Sequence, residues 1–358
     1  MAQKNETPAL VAAFLITAGL VGAGLWWFTQ RSGSNLGGLI SPQSSPQSSS
    51  QSSPAASGSP AAGQAVTSFS QVMNIPSGTF SYGGSTSWAP LRLTVDSAIQ
   101  AARPEFRLRY VDPIGSAPSS DSGIRMLLDG QLAFAQSSRP VKDEEYQRAQ
   151  QRGIRLEQIA VAIDGIAIAT HPNLNIPGLT LTQIKDIYQG KLTNWQQVGG
   201  PNLAITPYSR PVGSGGTVAF FVDTVLSGQP FGQNVRMVAT TTQALRQLAT
   251  VSGGLYFASA PEIVPQCTVK SLPLARRSGE FVAPYQEPFV ALSQCPGQRN
   301  RLNLSAFQSG QYPITRNLFV IVKQNNSMEQ RAGEAYANLL LSQEGQELIV
   351  KTGFVRIR

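Results

Sequence analysis

Read from the N-terminus, the apolar positions change spacing twice. Ala9 to Phe28 reads ALVAAFLITAGLVGAGLWWF without one charged residue. From Ser41 the sequence turns to SPQSSPQSSSQSSPAASGSP, in which apolar side chains all but vanish. From about Thr79 they return in two interleaved rhythms, short alternating runs and runs spaced at three and four. That alternation of strand and helix periods is the pattern of an α/β domain.

Leu91, Val95, Ala98, Ile99 and Ala102 fall on one helical face, and Arg103-Pro104 ends the helix. Phe106 to Val111 alternates as a strand. Ile124, Leu127 and Leu128 form a helical stripe, and Leu132 to Ala135 reads as a buried strand. Leu156 to Thr170 is β-favouring and expected to break at Asp164-Gly165. Thr180 with Gln183 makes a capping box before Leu181, Ile184, Ile187 and Tyr188. Ala204 to Ser209 and Leu255 to Ser259 are further strands. The last helix is predicted from near Ser327 through Leu339, Leu340 and Leu341, with Leu348 and Ile349 later.

The first run is long enough, at 1.5 Å per residue, to cross a hydrocarbon core of roughly 30 Å. Trp26, Trp27 and Phe28 at its end suit the membrane interface. A cleaved signal peptide is the alternative, but bulky aromatics directly after Gly22-Ala23-Gly24 make a poor cleavage site. The Ser/Gln/Pro stretch cannot build a core and reads as a flexible tether with a reach of roughly 30 Å.

The chain has 358 residues, 13% charged and 41% apolar, with a formal charge of +8. Its Arg and Lys are scattered without an aromatic-basic stripe, which argues against nucleic acid and suits the attraction of small anions. Cys267 and Cys295 lack neighbouring histidines and so do not resemble a zinc site. In an oxidising compartment they would pair; two buried, reduced thiols are the other reading.

Three Gly/Ser-rich turns stand where helices are predicted to begin: Gly83 to Ser87, Ser119 to Gly123, and Gly213 to Thr217. Glycine lets the backbone approach a ligand, hydroxyls donate hydrogen bonds, and a helix start presents unpaired N–H groups. One such turn is an ordinary cap. Three of them, with Arg139 and Arg210 nearby, would form a cage of donors for a small oxyanion if they converge.

The segments GGSTSWAPL, SGIRMLLDGQLAFAQSSRP, IAVAIDGIAIATHP, LTLTQIKDIYQGKLTNWQQVGG, SRPVGSGGTVAFF, YPITRNLFVIVK and LLLSQEGQELIVKTGF occur in one order over three quarters of the chain. In these segments the chain resembles the phosphate-binding proteins of ABC importers, within the type II periplasmic-binding-protein superfamily, in a membrane-anchored form of the cyanobacterial kind. The resemblance implies an α/β fold of two lobes joined by two crossover strands, behind a transmembrane helix (residues 1–30) and a disordered linker (31–70). It places lobe 1 at 71–163 and 319–358 and lobe 2 at 164–318, with crossings near Ile163 and between Tyr312 and Leu318. It implies a phosphate site of Ser85, Thr86, Ser120, Ser122, Ser138 and Arg139 from one lobe. Arg210, Ser214, Gly215, Gly216 and Thr217 complete it from the other. Asp164-Gly165 and Asn194-Trp195 are expected to serve hinge and packing. The expected setting is the periplasmic face of the cytoplasmic membrane, as a monomer beside ABC permease subunits, without cofactor or metal.

The pattern departs from its relatives at three points. Ser138 stands where many members carry an acidic residue, which would accept the proton of hydrogen phosphate and repel sulfate. Asp121, in a neighbouring turn, is the candidate substitute as proton acceptor. Val212 stands where an acidic partner for the arginine is frequent, and GSGG-Thr replaces the usual Gly-Ser-Gly-Thr. A catalytic reading finds little: His171 is the sole histidine, there is no Gly-x-Ser-x-Gly elbow, and no lysine follows Gly213 to Gly216 as a P-loop requires. The remaining rival is an oxyanion sensor or scaffold on the same fold, without a transport role.

Overall fold

The computed structural model describes residues 66–357. The predicted apolar span and most of the predicted linker lie outside these residues. Among the described residues no helix is long and apolar enough to cross a membrane. The expected linker ends earlier than residue 70. Phe69 is fully buried, and the carbonyls of Phe69 and Val72 accept from Arg103 at 3.0 and 2.7 Å. An aromatic at that position repays ordering the chain around it.

The strands are β1 (Gly78–Gly84), β2 (Phe106–Tyr110), β3 (Phe134–Ser137), β4 (Arg155–Thr170), β5 (Leu179–Thr180), β6 (Thr206–Ser209), β7 (Arg236–Met237), β8 (Gly254–Ser259), β9 (Lys270–Leu272), β10 (Leu274–Ala275) and β11 (Thr315–Gln324). A nine-stranded sheet runs β2-β1-β3-β11-β4-β8-β6-β7, with β9 added to β4; β10 and β5 pair separately. β1 pairs parallel to β2 and β3, and β6 pairs parallel to β7 and β8. Parallel neighbours need crossover connections, and here helices supply them.

β4 is one continuous strand where a break at Asp164-Gly165 was expected. What changes there is its partner. Residues up to Gly165 pair with β11, and Ile166 to Thr170 pair with β8. The backbone hydrogen bond from Ile166 N to Ile314 O, 2.9 Å, holds the returning chain beside it. One strand therefore pairs with both halves of the sheet, and its extended backbone serves them without interruption.

Each half has its own core. Tyr82, Trp88, Leu91, Phe106, Phe134 and Tyr336 pack on one face of the β1–β3–β11 half, and Ile124, Leu127, Leu132 and Ile321 on the other. Tyr188, Trp195, Phe221, Leu248, Phe257 and Tyr312 fill the half built on β6 and β8. The apolar stripes and strands read from the sequence supply Leu91, Phe106, Ile124, Leu127, Leu132, Phe134, Tyr188 and Phe257 among these, and two separate cores make two lobes joined by β4 and β11.

Most predicted elements are present with small shifts. The buried strand expected at Leu132 to Ala135 is β3, which begins at Phe134, although the Ala133 N–H already donates to the Ser81 carbonyl of β1 at 2.8 Å. The last helix is two, Met328–Leu341 and Gln343–Lys351, separated by Ser342, whose hydroxyl accepts from Gly345 N and caps the second. The helical run after β1 contains a π-helical turn, Arg92–Asp96, which widens the helix beside the convergence of turns described next.

Candidate functional site

Two of the Gly/Ser turns follow strand ends, after β1 and after β6, and the third opens the helix Ser120–Leu128. β1 runs into Gly83-Gly84-Ser85 at the point where β3 delivers Ser137 and Ser138. The two chains approach so closely that a Cβ on Gly84, held at φ 131°, would stand 2.2 Å from the Gln136 carbonyl oxygen. Only glycine fits there. The approach brings three fully buried hydroxyls together: Ser85 Oγ lies 2.8 Å and Ser120 Oγ 3.3 Å from Ser138 Oγ. The Ser138 N–H donates to Ser120 Oγ at 3.1 Å.

From the other lobe, β6 ends at Ser209 and the helix Gly216–Thr224 starts at an N-cap, Gly215, that brings no side-chain hydrogen bond. Its first N–H groups therefore keep their donors and their partial positive charge. A Cβ on Gly216 would stand 2.1 Å from Ser138 Oγ and 2.6 Å from Ser120 Oγ, so the bare backbone of one lobe abuts the hydroxyls of the other. Arg210 lies across this helix start, donating from Nη2 to the Ser214 carbonyl at 2.9 Å. Ser214 Oγ is buried without a hydrogen-bond partner among the described residues.

The lobes also meet through a group absent from the sequence-based set. Arg316, on the returning strand β11, is buried against Asp164 of β4, donating from Nε and Nη2 to Oδ2 at 3.0 and 2.8 Å. Ser259 Oγ donates to the other carboxylate oxygen at 2.5 Å. Nη2 of Arg316 further reaches Ser87 Oγ of lobe 1 at 3.0 Å and Thr217 Oγ1 of lobe 2 at 2.8 Å. Those two hydroxyls lie 3.1 Å apart. An ion pair between the two crossover strands thus touches both walls of the cleft.

A cavity of ≈ 10 Å³ is lined by Thr86, Ser87, Arg210 and Thr217 together with Tyr256 and Glu262. That is room for about one water molecule. Burial raises the Glu262 carboxyl above its ordinary range, and the charge of Asp164 adds to this. The Thr241 hydroxyl and the guanidinium groups of Arg210 and Arg316 act the other way.

The structure therefore gathers Ser85, Thr86, Ser120, Ser138, Arg210, Ser214, Gly215, Gly216 and Thr217, and leaves three expected residues outside. Ser122 Oγ accepts from Ser119 N at 2.8 Å and closes the capping box of the helix Ser120–Leu128. Its hydroxyl serves the helix. Arg139 is buried and held by Glu145, its Nη1 and Nη2 donating to the two carboxylate oxygens at 2.9 and 2.8 Å. Asp121 accepts from Arg139 Nη2 at 2.8 Å and lies 3.5 Å from Lys142 Nζ. Burial alone would raise its carboxyl, but these two cations outweigh burial and hold it below the usual carboxylate range. A carboxylate so paired is a poor proton acceptor, which corrects the role expected of Asp121.

Sequence reasoning missed Ser87, Arg316, Thr241, Tyr256 and Glu262. Ser87 sits in the first turn and was passed over for its neighbours. The others come singly from separate elements, without a motif to mark them. Behind the site, Arg92 donates to the Ser85 carbonyl at 3.2 Å and to Gln136 Oε1 at 3.0 Å, and stacks on Tyr110 with its guanidinium carbon 4.1 Å from the ring centre. Among the described residues no group of three or more His, Cys, Asp and Glu side chains is placed to hold a metal.

Among curated proteins, the chain is 25% identical over 229 residues to the phosphate-binding protein PstS of Staphylococcus epidermidis, covering 63% of this chain and 64% of that protein. It spans just under two thirds of that relative's length. Against the phosphate-binding protein PstS of Staphylococcus saprophyticus it is 23% identical over 273 residues, covering 74% and 78%. Among solved structures, a putative phosphate ABC transporter substrate-binding protein with bound phosphate from Clostridium perfringens superposes with a TM-score of 0.62 at 24% identity. The match covers 78% of this chain and 100% of that one. An ABC-type phosphate transport receptor from Vibrio cholerae gives 0.59 at 21%, covering 77% and 99%. These likenesses show the shared two-lobed α/β fold. The model of the PBP superfamily domain matches residues 50–344, and the chain belongs to that superfamily.

Proposed function

We propose that this protein captures inorganic phosphate outside the cytoplasm and hands it to an ABC importer. The observation that carries the reading is the convergence of two lobes' donors on one buried point. The Ser85–Ser120–Ser138 hydroxyls lie on one side, and Arg210 with the uncapped helix start at Gly215 and Gly216 on the other. A doubly charged tetrahedral anion accepts several hydrogen bonds per oxygen, and this arrangement supplies backbone, hydroxyl and guanidinium donors together. The named relatives are phosphate-binding and substrate-binding proteins, which favours binding over catalysis at the family level.

With the donors bonded to one another and a cavity of ≈ 10 Å³, an anion of four oxygens reaches the site only when the lobes part. β4 and β11 are the connections about which they would turn. On closing, the anion replaces the hydroxyl–hydroxyl bonds, so little polar desolvation is left uncompensated.

The setting follows the same reading. Ala9 to Phe28 anchors the chain and the Ser/Gln/Pro stretch tethers a monomeric domain beside permease subunits on the periplasmic face. The disulfide between Cys267 and Cys295 fits an oxidising compartment.

Calorimetric titration of the full chain with phosphate tests the central claim. Wild type should bind, and Arg210→Ala should weaken binding about 100-fold, since truncating one partner of a buried charge pair costs 2–5 kcal/mol. Its thermal midpoint should barely move. Absence of phosphate binding by the wild type would sink the capture role, and normal binding by the variant would misplace the site.

A further inference from the structure

Ser85, the first donor of the proposed oxyanion site, is gripped from behind by side chains outside that site. Its N–H donates to the Gln136 carbonyl at 2.8 Å. Its own carbonyl accepts from the Trp88 N–H at 3.2 Å and from Arg92 Nη1 at 3.2 Å, and the same Arg92 nitrogen donates to Gln136 Oε1 at 3.0 Å. Gln136 Nε2 then donates to the Tyr336 hydroxyl at 2.9 Å, and that hydroxyl donates to Asp96 Oδ1 at 2.8 Å. The Tyr82 hydroxyl donates to the other carboxylate oxygen. Gln136 and Tyr336 are fully buried and Asp96 nearly so. A guanidinium can only donate and an ionised carboxylate can only accept, so the two ends fix the direction of every bond between them, and with it the orientation of the Gln136 amide. Both ends come from one π-helical turn, Arg92–Asp96, a kind of turn that is frequent at functional positions.

We propose that Arg92, held by the Gln136–Tyr336–Asp96 relay, is a positioning residue that sets the affinity of the oxyanion site without touching the anion, a role that rests on the proposed capture of an oxyanion. The Ser85 carbonyl and the Thr86 N–H belong to one peptide unit. A cation on the carbonyl oxygen polarises that unit and makes its N–H a stronger donor, here at a residue gathered to the site. Fixing the same peptide also fixes the Ser85 hydroxyl, 2.8 Å from Ser138 Oγ. Donors held in place before the ligand arrives lose less freedom when it binds. Arg92 also stacks on Tyr110, 4.1 Å from the ring centre. That stack accounts for its stem and its cation, but not for one nitrogen shared between the residue that follows β1 and a side chain of β3.

The test is calorimetric titration of the full chain with sodium phosphate at neutral pH, for wild type, Arg92→Met, Arg92→Lys, Tyr336→Phe and the double variant Arg92→Met/Tyr336→Phe. Arg92→Met keeps an unbranched stem and removes the donor, and phosphate affinity should fall about tenfold, the loss typical of one charge-assisted hydrogen bond. Tyr336→Phe keeps the ring stacked on Phe134 and removes only the hydroxyl. It should cost about fivefold. Both of these Arg92 bonds leave from one nitrogen, so an ammonium with three donors can make them. Arg92→Lys should therefore stay within about threefold of wild type. The double variant should bind about as weakly as Arg92→Met alone, because members of one hydrogen-bonded network are not additive. A residue that only supports the fold would lower the thermal midpoint and leave this coupling in affinity absent. If Tyr336→Phe fails to fold, the Arg92 variants still decide: equal affinities of Arg92→Met and Arg92→Lys overturn the inference. Phosphate binding by wild type with undiminished affinity in Arg92→Met, or losses that multiply in the double variant, overturns the inference alone. Absence of phosphate binding by wild type overturns the capture reading and this inference with it.

Discussion

Asp96 is the residue where charge and burial conflict most openly. It accepts from the hydroxyls of Tyr82 and Tyr336, the latter at 2.8 Å, and Tyr336 also receives Gln136 Nε2 at 2.9 Å. Burial nevertheless raises its carboxyl to about 6, against the opposing effects of the two tyrosines and Arg92. In the unfolded chain the same group titrates near 3.9. Between those values the folded state binds the proton more tightly, so this group's contribution to stability is present at low pH and is lost as pH rises through about 6. Wild type should therefore gain on the order of 2 kcal/mol from Asp96 between neutral pH and about pH 4. Asp164 and Glu262, also raised, add to the same trend. Asp96→Asn should remove the largest part of it, as read by urea unfolding at several pH values. A variant whose midpoint follows pH as the wild type's does would show that Asp96 is ionised without penalty. Gln136 precedes Ser137 and Ser138 on β3, so this network also supports the strand end that carries the site.

At the scale of elements, the stretch from Cys267 to Cys295 contains only the short strands β9 and β10 and one brief helical turn, Leu292–Gln294. β9 is held to β4 through Leu272 opposite Ile168, and β10 to β5 through Leu274 opposite Leu179. The disulfide closes this stretch across a sequence separation of 28 with the Cα atoms 5.7 Å apart. For a loop of that length, chain entropy predicts stabilisation of about 3.6 kcal/mol. The double variant Cys267→Ser/Cys295→Ser should lose about that much in denaturant unfolding while phosphate affinity stays within about twofold, because no donor of the site lies in the loop. A large fall in affinity would mean that the loop shapes the cleft. The helix Gly216–Thr224 gives the contrary lesson: its N-cap lacks a side-chain hydrogen bond, and that omission leaves its amides available for the site.

For the whole molecule, the decisive contact is the Arg316–Asp164 pair, where both crossover strands and both walls of the cleft meet. Arg316→Ala would leave Asp164 buried without its cation, and removal of one partner of a buried pair costs about 3–5 kcal/mol. The loss should appear in the urea midpoint at neutral pH. Arg316→Ala/Asp164→Asn should recover part of it, because the unpaired charge is gone. If the single variant loses less than about 1 kcal/mol, Asp164 is reached by solvent in the unclosed molecule and the pair is not a structural tie.

The local pattern of the sequence was enough to place many of the strands and helices, because hydrophobic period, capping boxes and Arg103-Pro104 act over a few residues, but it did not mark the helices Asp143–Gln151 and Thr241–Leu248 or the strand β11. Its Gly/Ser turns pointed to seven of the residues gathered at the cleft, since glycine before a helix start has a short-range signature; Ser138 and Arg210 lie outside those turns. Ser122 and Arg139 stand in the right turns, yet their polar groups are claimed by the Ser119 cap and by Glu145, and those choices are settled by packing. Asp121 and Glu262 are both acidic residues at helix starts, indistinguishable along the chain. Folding binds one to two cations and brings the other to the cleft wall beside Arg210. The pair between the crossover strands spans 152 residues of sequence. No local rule links Asp164 to Arg316, because their meeting depends on β4 and β11 pairing antiparallel, and only the tertiary structure determines that register.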